Sequence, residues 1–562
     1  MAVSKNTQKI ISFLDRNASR RLTINQIAKT LSISVGSAHK ILKELEDESV
    51  VKAESLGNAI FYVLNHESAT TKEILAEIGS TRQIMIKKTK IIATIGPVTN
   101  SIEEITKLKN AGMDVARINS SHGNPEQHSD IIKKVREVDA TIPILLDIPG
   151  PKVRVRGLKE PRILKANSTI ILSTTPEGDA IGVDLPEFPK HVKPRQELLM
   201  DDGSIAITVQ SIDGNNVTCL VQHDAVLQEG KGVNIPGAIL SRESIQEKEN
   251  KCIAFAKKEQ VDFVGLSFVN TADEVRTVEK KLEGSTIKII AKVENQEAIK
   301  NVSGIIEAAY GIMIDRGDLG SEVSFQKVPM LQKHIIEEGN KRAKPVIVAT
   351  EMLHSMVTQP LPKKSEVADI ASAVMDGASA VMLSGETAIG ANPEQAVKVM
   401  STVIQECEEE TPILDLENDN ESTDPSDACS KMIIDLSKHT HIDKLLCITH
   451  GGFSARMLAR FNSSFPIIAL TSNIKIVRRL KLLRGVIPLQ VEHEIDNSGS
   501  VEQKKEAIMA CIKNQLIEEQ DTIVLAGAVF PNHRKIINMV EVHKVDEFLG
   551  FFKQHGGTNE SK

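Results

Sequence analysis

The sequence predicts an α/β protein built on a TIM (β/α)8 barrel, and three observations carry that prediction. From Thr89 onward, eight short β-branched runs alternate with helical stretches, the pattern of a parallel barrel. Between the third and fourth runs lies a long segment rich in Val, Ile, Gly and Pro, read as an inserted β domain. After an acidic, hydrophilic stretch from Cys407 to Ser426, further runs alternate with helices, as in a Rossmann-like α/β layer domain.

Taken in order, residues 1–87 form a separate small unit. Ile10, Ile11, Phe13 and Leu14 share one helical face, and Ile24, Ile27, Ala28 and Leu31 share another. The turn Ser32-Ile33-Ser34 leads to Val35–Leu45, with Ala38, Ile41, Leu42 and Leu45 on one side. Val50-Val51 and AIFYVL (59–64) then read as two strands around Gly57-Asn58, the plan of a winged helix-turn-helix. Residues 88–148 and 241–406 supply the barrel strands, in KTKIIATIG, VARIN, IPILLDI, VDFVGLSF, IKIIAKVEN, GIMID, PVIVAT and SAVMLS. Residues 149–240 are the inserted β-barrel lid domain, with strands in VRVRGL, STIILS, SIAITVQ and NNVTCLVQ. Residues 427–562 are the C-terminal α/β domain, with strands in KLLCITH, PIIALT, GVIPLQV and DTIVLAG.

Composition narrows the function classes. No stretch of the 562 residues reaches the roughly 18 apolar residues of a membrane span, and the start MAVSKNTQ lacks a signal-peptide plan. Six scattered cysteines without a C-x-x-C pair argue against a disulfide framework or a zinc site, so a cytoplasmic protein is expected. A net charge of −7 gives no whole-chain case for nucleic-acid binding. Residues 1–45 differ, with eight Lys/Arg against two acids. The recognition helix, Val35–Leu45 with its cap, would present Ser34, Ser37, His39, Lys40 and Lys43 to phosphates and bases. DNA is therefore an expected partner of residues 1–87, and a protein-interaction cap is the alternative.

In barrels of this kind the strand C-terminal ends carry the chemistry. Those ends hold Arg117 and Asn119, Asp147, Lys292 and Glu294, Asp318, Thr350, and Ser384 and Glu386. Alternating carboxylates and cations suit a divalent metal together with a phosphorylated anion.

Nine motifs in register then resemble the pyruvate kinase family. They are KIIATIGP (90–97), ARINSSHG (116–123), LDIPGPKVR (146–154), DDGSI (201–205), KGVNIPG (231–237), IIAKVEN (289–295), DRGDLGSE (315–322), PVIVATEML (345–353) and VMLSGETAIGANP (381–393). The resemblance spans roughly residues 88–550. It implies a cytoplasmic glycolytic enzyme that moves the phosphoryl group of phosphoenolpyruvate to ADP, giving pyruvate and ATP, with Mg²⁺ or Mn²⁺ and as a homotetramer. By resemblance, Glu294 and Asp318 are the metal carboxylates. Lys292 neutralises the transferring group and the enolate, and Arg117 holds the phosphate. Gly317 and Asp318 open a helix toward the substrate carboxylate. Thr350 lies near the enolate carbon, while Ser384 and Glu386 belong to proton delivery. Thr94, Pro97, Asn119, His122, Arg154 and Lys231 match nucleotide contacts. The inserted domain is expected to close as a lid.

The departures from the family pattern carry expectations of their own. Potassium-dependent members use an Asn-x-Ser pair, an Asp and the next carbonyl, here Asn119, Ser121, Asp147 and Ile148. The acid that follows in those members is replaced by Lys152, whose ammonium is expected to stand in for K⁺. Asp315 stands where a small residue usually precedes Arg-Gly-Asp, Glu351 replaces a glutamine, and Pro362–Glu366 replaces a Pro-Thr-Arg-Ala-Glu run at the subunit-contact helix. In the C-terminal domain, Thr449–Ser454 keeps part of a phosphate-binding turn, but Phe530–Lys535 lacks the glycines of the fructose 1,6-bisphosphate loop. A different effector, or none, is expected. The alternative overall reading is a DNA-binding regulator that uses a kinase-derived domain to sense phosphoenolpyruvate or nucleotide.

Overall fold

The computed structural model describes all residues except 1–4, 17–21, 32, 57–58, 66–67, 69, 72–73, 75–86, 202, 409–410, 412–413, 415–424, 494–499, 529–535 and 556–562. Ser32, Gly57-Asn58, most of the 407–426 stretch, the 530–535 loop and the Gly556–Asn559 tail therefore lie outside the described residues. The chain divides into two units, Met1–Ile86 and Lys87–Lys562.

Eight strands close the barrel of the larger unit: β1 (Lys90–Thr94), β2 (Val115–Asn119), β3 (Ile144–Ile148), β4 (Phe263–Leu266), β5 (Lys288–Val293), β6 (Gly311–Asp315), β7 (Val346–Ala349) and β8 (Ala380–Leu383). Each runs parallel to the next, and β8 closes on β1. Side chains alternate along a strand, so one set of positions fills the barrel and the other meets the helices. Ile92, Val115, Leu145, Phe263, Ile290, Met313 and Ile347 form the apolar interior. Their neighbours Ile91, Ala93, Ala116, Leu146, Ala291 and Val348 face outward into the helix-packed core. Two residues beyond the inward layer, the same faces carry Thr94, Arg117, Asp147, Gly265, Lys292 and Asp315. Period two alone thus lifts a polar layer onto an apolar plug at the C-terminal mouth.

The lid is a closed seven-stranded barrel, with strands at Val153–Arg156, Thr169–Ser173, Ile181–Val183, Glu197–Met200, Ile205–Asp213, Asn216–Val221 and Gly232–Asn234. The strands at 153–156, 169–173, 205–213 and 216–221 coincide with the runs read from the sequence. The three- and four-residue strands at 181–183, 197–200 and 232–234 are too short to show periodicity, and were not anticipated. The C-terminal sheet has four parallel strands, Val486–Gln490, Ile467–Thr471, Lys444–Ile448 and Thr522–Gly527, plus an unanticipated antiparallel edge strand, Met539–Lys544.

This C-terminal domain seals the barrel's lower end. Leu482 packs into the interior apolar cluster, and the Lys90 ammonium donates to the Val486 carbonyl at 2.9 Å. Arg484 is buried and donates to the Thr89 hydroxyl, the Asn462 side chain and the carbonyls of Ala378 (3.1 Å) and Val374 (3.3 Å), with Glu408 3.7 Å away.

The smaller unit folds as expected. Helices Lys5–Arg16, Ile24–Thr30 and Val35–Asp47 precede the hairpin of Val51–Leu56 and Ala59–Leu64. A two-residue strand, Leu22–Thr23, completes a three-stranded sheet. Ser34 caps Val35–Asp47 by accepting the Ser37 N–H at 3.1 Å. That helix buries Ala38, Ile41, Leu42 and Leu45 and exposes His39, Lys40 and Lys43.

Removing the Arg484 guanidinium leaves Glu408 and several carbonyls short of a buried partner. Arg484→Leu is expected to cost about 3–5 kcal/mol. Differential scanning calorimetry should show an early transition in the variant, and an unchanged profile would contradict this role.

Candidate active site

The polar layer at the barrel mouth is one connected network. From β2, Arg117 donates through Nε and Nη2 to Asp147 Oδ2 on β3, at 3.0 and 2.6 Å. Its Nη1 reaches the Thr94 hydroxyl on β1 at 2.9 Å. Thr94 in turn donates to the Leu383 carbonyl at 2.8 Å, so its hydroxyl is committed to the barrel wall. At Gly265 on β4, a Cβ would stand 3.1 Å from Asp147 Oδ1, so glycine keeps room for that carboxylate.

Lys292 of β5 sits at the centre. Its buried ammonium lies 2.7 Å from Glu294, 3.1 Å from Asp315, 3.4 Å from Asp147 and 3.2 Å from the Ser267 hydroxyl. Burial alone would favour the neutral amine, but Asp147, Glu294 and Asp315 together hold its pKa well above the ordinary lysine value. The acids feel the reverse balance. Burial pushes Glu294 up to about 8, with Asp315 and Asp318 adding to the rise and Lys292 opposing it. Burial also raises Asp318, against Lys152, whose Nζ is 2.5 Å away. Asp315 is the exception: despite burial, Lys292 draws it down to about 2.

Glu294, Asp315 and Asp318 bring carboxylate oxygens within 4.8 Å of one another. An all-oxygen set of crowded acids, one of them already pushed toward its neutral form, fits a hard divalent cation. Sequence reasoning named two of these acids and treated Asp315 only as a departure. The signal for it was present, since Met313 points inward and Asp315 is two residues on.

Three of the non-glycine residues held at positive φ lie at this mouth. Phe268 after β4 has φ +51°, and its N–H donates to Glu294 at 2.5 Å. After β7, Thr350 and Glu351 both have positive φ, +65° and +57°. A β-branched residue in that region is costly unless its surroundings fix it. Here the Thr350 hydroxyl accepts the Gly317 N–H at 2.9 Å and lies 3.1 Å from its acceptor Asp315, while Arg316 donates to the Thr350 carbonyl at 2.7 Å. After β8, Glu386 accepts the N–H groups of Ser384 (2.8 Å) and Leu353 (3.2 Å). The Ser384 hydroxyl is buried with no hydrogen-bond partner among the described residues.

Of the remaining sequence-named residues, Ile148 joins this network through Ser267, and the others lie at its rim or in the lid. Pro97, Ser121 and His122 are exposed. Arg154 and Lys231 sit in the lid, bonded to the Gly230 carbonyl (3.0 Å) and paired with Asp201 (2.7 Å). Asn119 Oδ1 accepts the Ser121 N–H at 3.1 Å, and the Ile148 carbonyl accepts the Ser267 hydroxyl at 2.9 Å. With Asp147 bonded to Arg117, three of the four potassium-site groups are engaged within the protein. Ser267 was missed because no strand-end residue was taken from β4.

A closed barrel whose mouth gathers buried cations and a triad of acids beneath a β-barrel lid defines a phosphoryl-transfer enzyme. The family description "Pyruvate kinase, barrel domain" matches residues 86–397, and "Pyruvate kinase, alpha/beta domain" matches 427–543. "Winged helix-turn-helix DNA-binding" matches residues 3–52. The chain is 36% identical to the pyruvate kinase of Geobacillus stearothermophilus, over 83% of this chain and 81% of that protein. It is 37% identical to that of Thermococcus litoralis, over 78% of this chain and 94% of that one. A crystal structure of a pyruvate kinase from Cryptosporidium parvum superposes with a TM-score of 0.74 at 31% identity, covering 82% of this chain and 96% of that one. The chain belongs to the pyruvate kinase family. Among the described residues, no helix is long and apolar enough to cross a membrane.

Beneath the lid hinges, Lys152, Asn234, Phe268, Asn295 and Glu322 line a cavity. Glu322 accepts the Gly237 N–H at 3.3 Å. Burial, the largest influence, pushes its carboxyl from 4.5 up to about 7. The folded state therefore holds this proton more tightly than the unfolded chain. That contribution to stability is complete below 4.5 and is lost as pH rises through about 7. In Glu322→Gln the loss should vanish, so its thermal-melting advantage over the parent grows across that window. Parallel pH–stability curves would rule the linkage out.

Proposed function

We propose that the chain transfers the phosphoryl group of phosphoenolpyruvate to ADP, giving pyruvate and ATP, with the network around Lys292 as its reaction centre. One observation supports this most: a lysine kept charged by three carboxylates, with Arg117 and Lys152 nearby, at the mouth where the family motifs converge. Arg117 would hold the phosphate and Lys292 the charge on the transferring group and the enolate. Glu294 and Asp318 would hold Mg²⁺ or Mn²⁺, which when bound supplies charge neutralisation on phosphate and enolate oxygens. The backbone around Gly317 and Asp318 would meet the substrate carboxylate, and Thr350 would lie near the enolate carbon. The unpartnered Ser384 hydroxyl, beside Glu386, suits the delivery of a proton to the enolate carbon. Pro97, His122, Arg154 and Lys231, on the rim and the facing lid, would contact the nucleotide.

Independence from K⁺ is part of the proposal. Lys152, at the lid hinge, brings its ammonium to Asp318, so a fixed positive charge already serves the site. The exposed Phe325, Met330 and Leu361 suit a homotetrameric enzyme, as apolar surface that a subunit contact would cover.

A specific observation favours a second activity of the same chain. The helix Val35–Asp47 exposes His39, Lys40 and Lys43 in a winged helix-turn-helix matched by a DNA-binding family description. The smaller unit would bind DNA, and the enzyme would be an active kinase carrying a regulatory or localising module.

Pyruvate and ATP formation is expected at full rate in K⁺-free buffer with Mg²⁺, and Lys152→Glu should make the rate depend on added K⁺. Activity of the parent only with K⁺ would discard the role of Lys152. No activity from folded protein would favour a phosphoenolpyruvate- or nucleotide-sensing regulator. On duplex DNA, the full chain should be retained with an affinity that falls steeply as salt rises, and replacing Lys40 and Lys43 with Ala should lower the salt slope by about 1 or more. Absence of binding at low salt would leave a protein-interaction cap.

A further inference from the structure

We propose that Asp315 is a positioning residue that ties Lys292 and Thr350 into one unit. The inference rests on the roles given above to those two residues. Lys292 lies on β5 and Thr350 follows β7, so a whole strand separates them. Strand spacing puts about 10 Å between such positions in the barrel wall. Asp315 ends the intervening strand β6 and faces inward by the same alternation that directs Met313 into the barrel. Its two oxygens divide the work: Oδ2 lies 3.1 Å from the Lys292 ammonium, and Oδ1 lies 3.1 Å from the Thr350 hydroxyl, whose proton it shares with the Ala349 carbonyl at 2.6 Å.

Counter-charge alone does not explain this carboxylate. Lys292 already has Glu294 at 2.7 Å and Asp147 at 3.4 Å. What Asp315 adds is a link to β7. Thr350 needs such a link, because it is a β-branched residue held at φ +65°, followed by another residue at φ +57°. Its hydroxyl is also the acceptor for the Gly317 N–H, at the start of the helix that carries Asp318. Fixing Thr350 therefore fixes the entry to that helix. Asp315 sets the distance between the ammonium that meets the enolate oxygen and the backbone and hydroxyl that meet the rest of the substrate. A catalytic group displaced by about 1 Å can cost on the order of 10²-fold in rate.

The test compares Asp315→Ala and the isosteric Asp315→Asn with the parent, at saturating divalent cation and ADP. Asp315→Ala should lower kcat by about 10²-fold while KM for phosphoenolpyruvate changes by less than about threefold. Deuterium uptake at the methyl carbon of pyruvate, followed by NMR in D₂O with ATP present, should fall alongside it. Asp315→Asn keeps an acceptor for Thr350 and should recover about tenfold of the loss. A kcat within about twofold of the parent in Asp315→Ala would overturn the proposal, as would equal kcat values in the two variants. So would an effect confined to the concentration of divalent cation required. Lys292→Met separates the two readings. If that variant is active, the role given to Lys292 fails. If it is inactive while Asp315→Ala is normal, only the role of Asp315 fails.

Discussion

The organisation of this molecule depends on keeping one lysine charged inside a protein. Moving an ammonium out of water is expensive, and only close, well-placed carboxylates offset that cost. Lys292 obtains them from β3, from β6 and from the residue just after β5. Asp147 must also satisfy Arg117, which draws in β2 and, through Thr94, β1. Gly265 on β4 keeps the space that Asp147 occupies. The acids left crowded around the lysine then favour a cation of their own. Much of the barrel mouth can be traced to the solvation of a single group.

Two features of the surrounding fold protect that arrangement. The apolar layer from Ile92 to Ile347 closes the barrel beneath the polar one, and Leu482 of the C-terminal domain extends that plug from below. Water is kept from reaching the ion pairs from the base, so they stay strong. Above, the lid contributes directly to the electrostatics through Lys152, while Glu322 joins the substrate-side helix to the returning hinge at Gly237.

Much of this was legible in the sequence, because the barrel strands are long enough to show their periodicity and their ends carry chemically distinctive residues. The strand-end reading found Arg117, Asp147, Lys292, Glu294, Asp318, Thr350, Ser384 and Glu386. It missed Ser267, whose small hydroxyl gives no signal outside its three-dimensional setting. It placed Asp315 in the right motif but not in the network, since the contact with Thr350 crosses from one strand to the next and has no trace in local pattern. The strain at Thr350 and Glu351 was equally silent, because neither residue type advertises a positive φ. The shortest lid strands and the edge strand Met539–Lys544 depend on partners distant in sequence.

The contact between Lys152 and Asp318 has a consequence for which ligand the pocket favours. Lys152 belongs to the segment that joins barrel to lid, so any swing that lifts this hinge withdraws a positive charge from the mouth. The open pocket is then more negative than the closed one. It attracts a divalent cation and repels a phosphorylated anion, and both preferences relax as the hinge returns. Were this segment to swing, its ammonium would couple hinge position to the charge of the mouth: the open form would favour the metal and the closed form the anion.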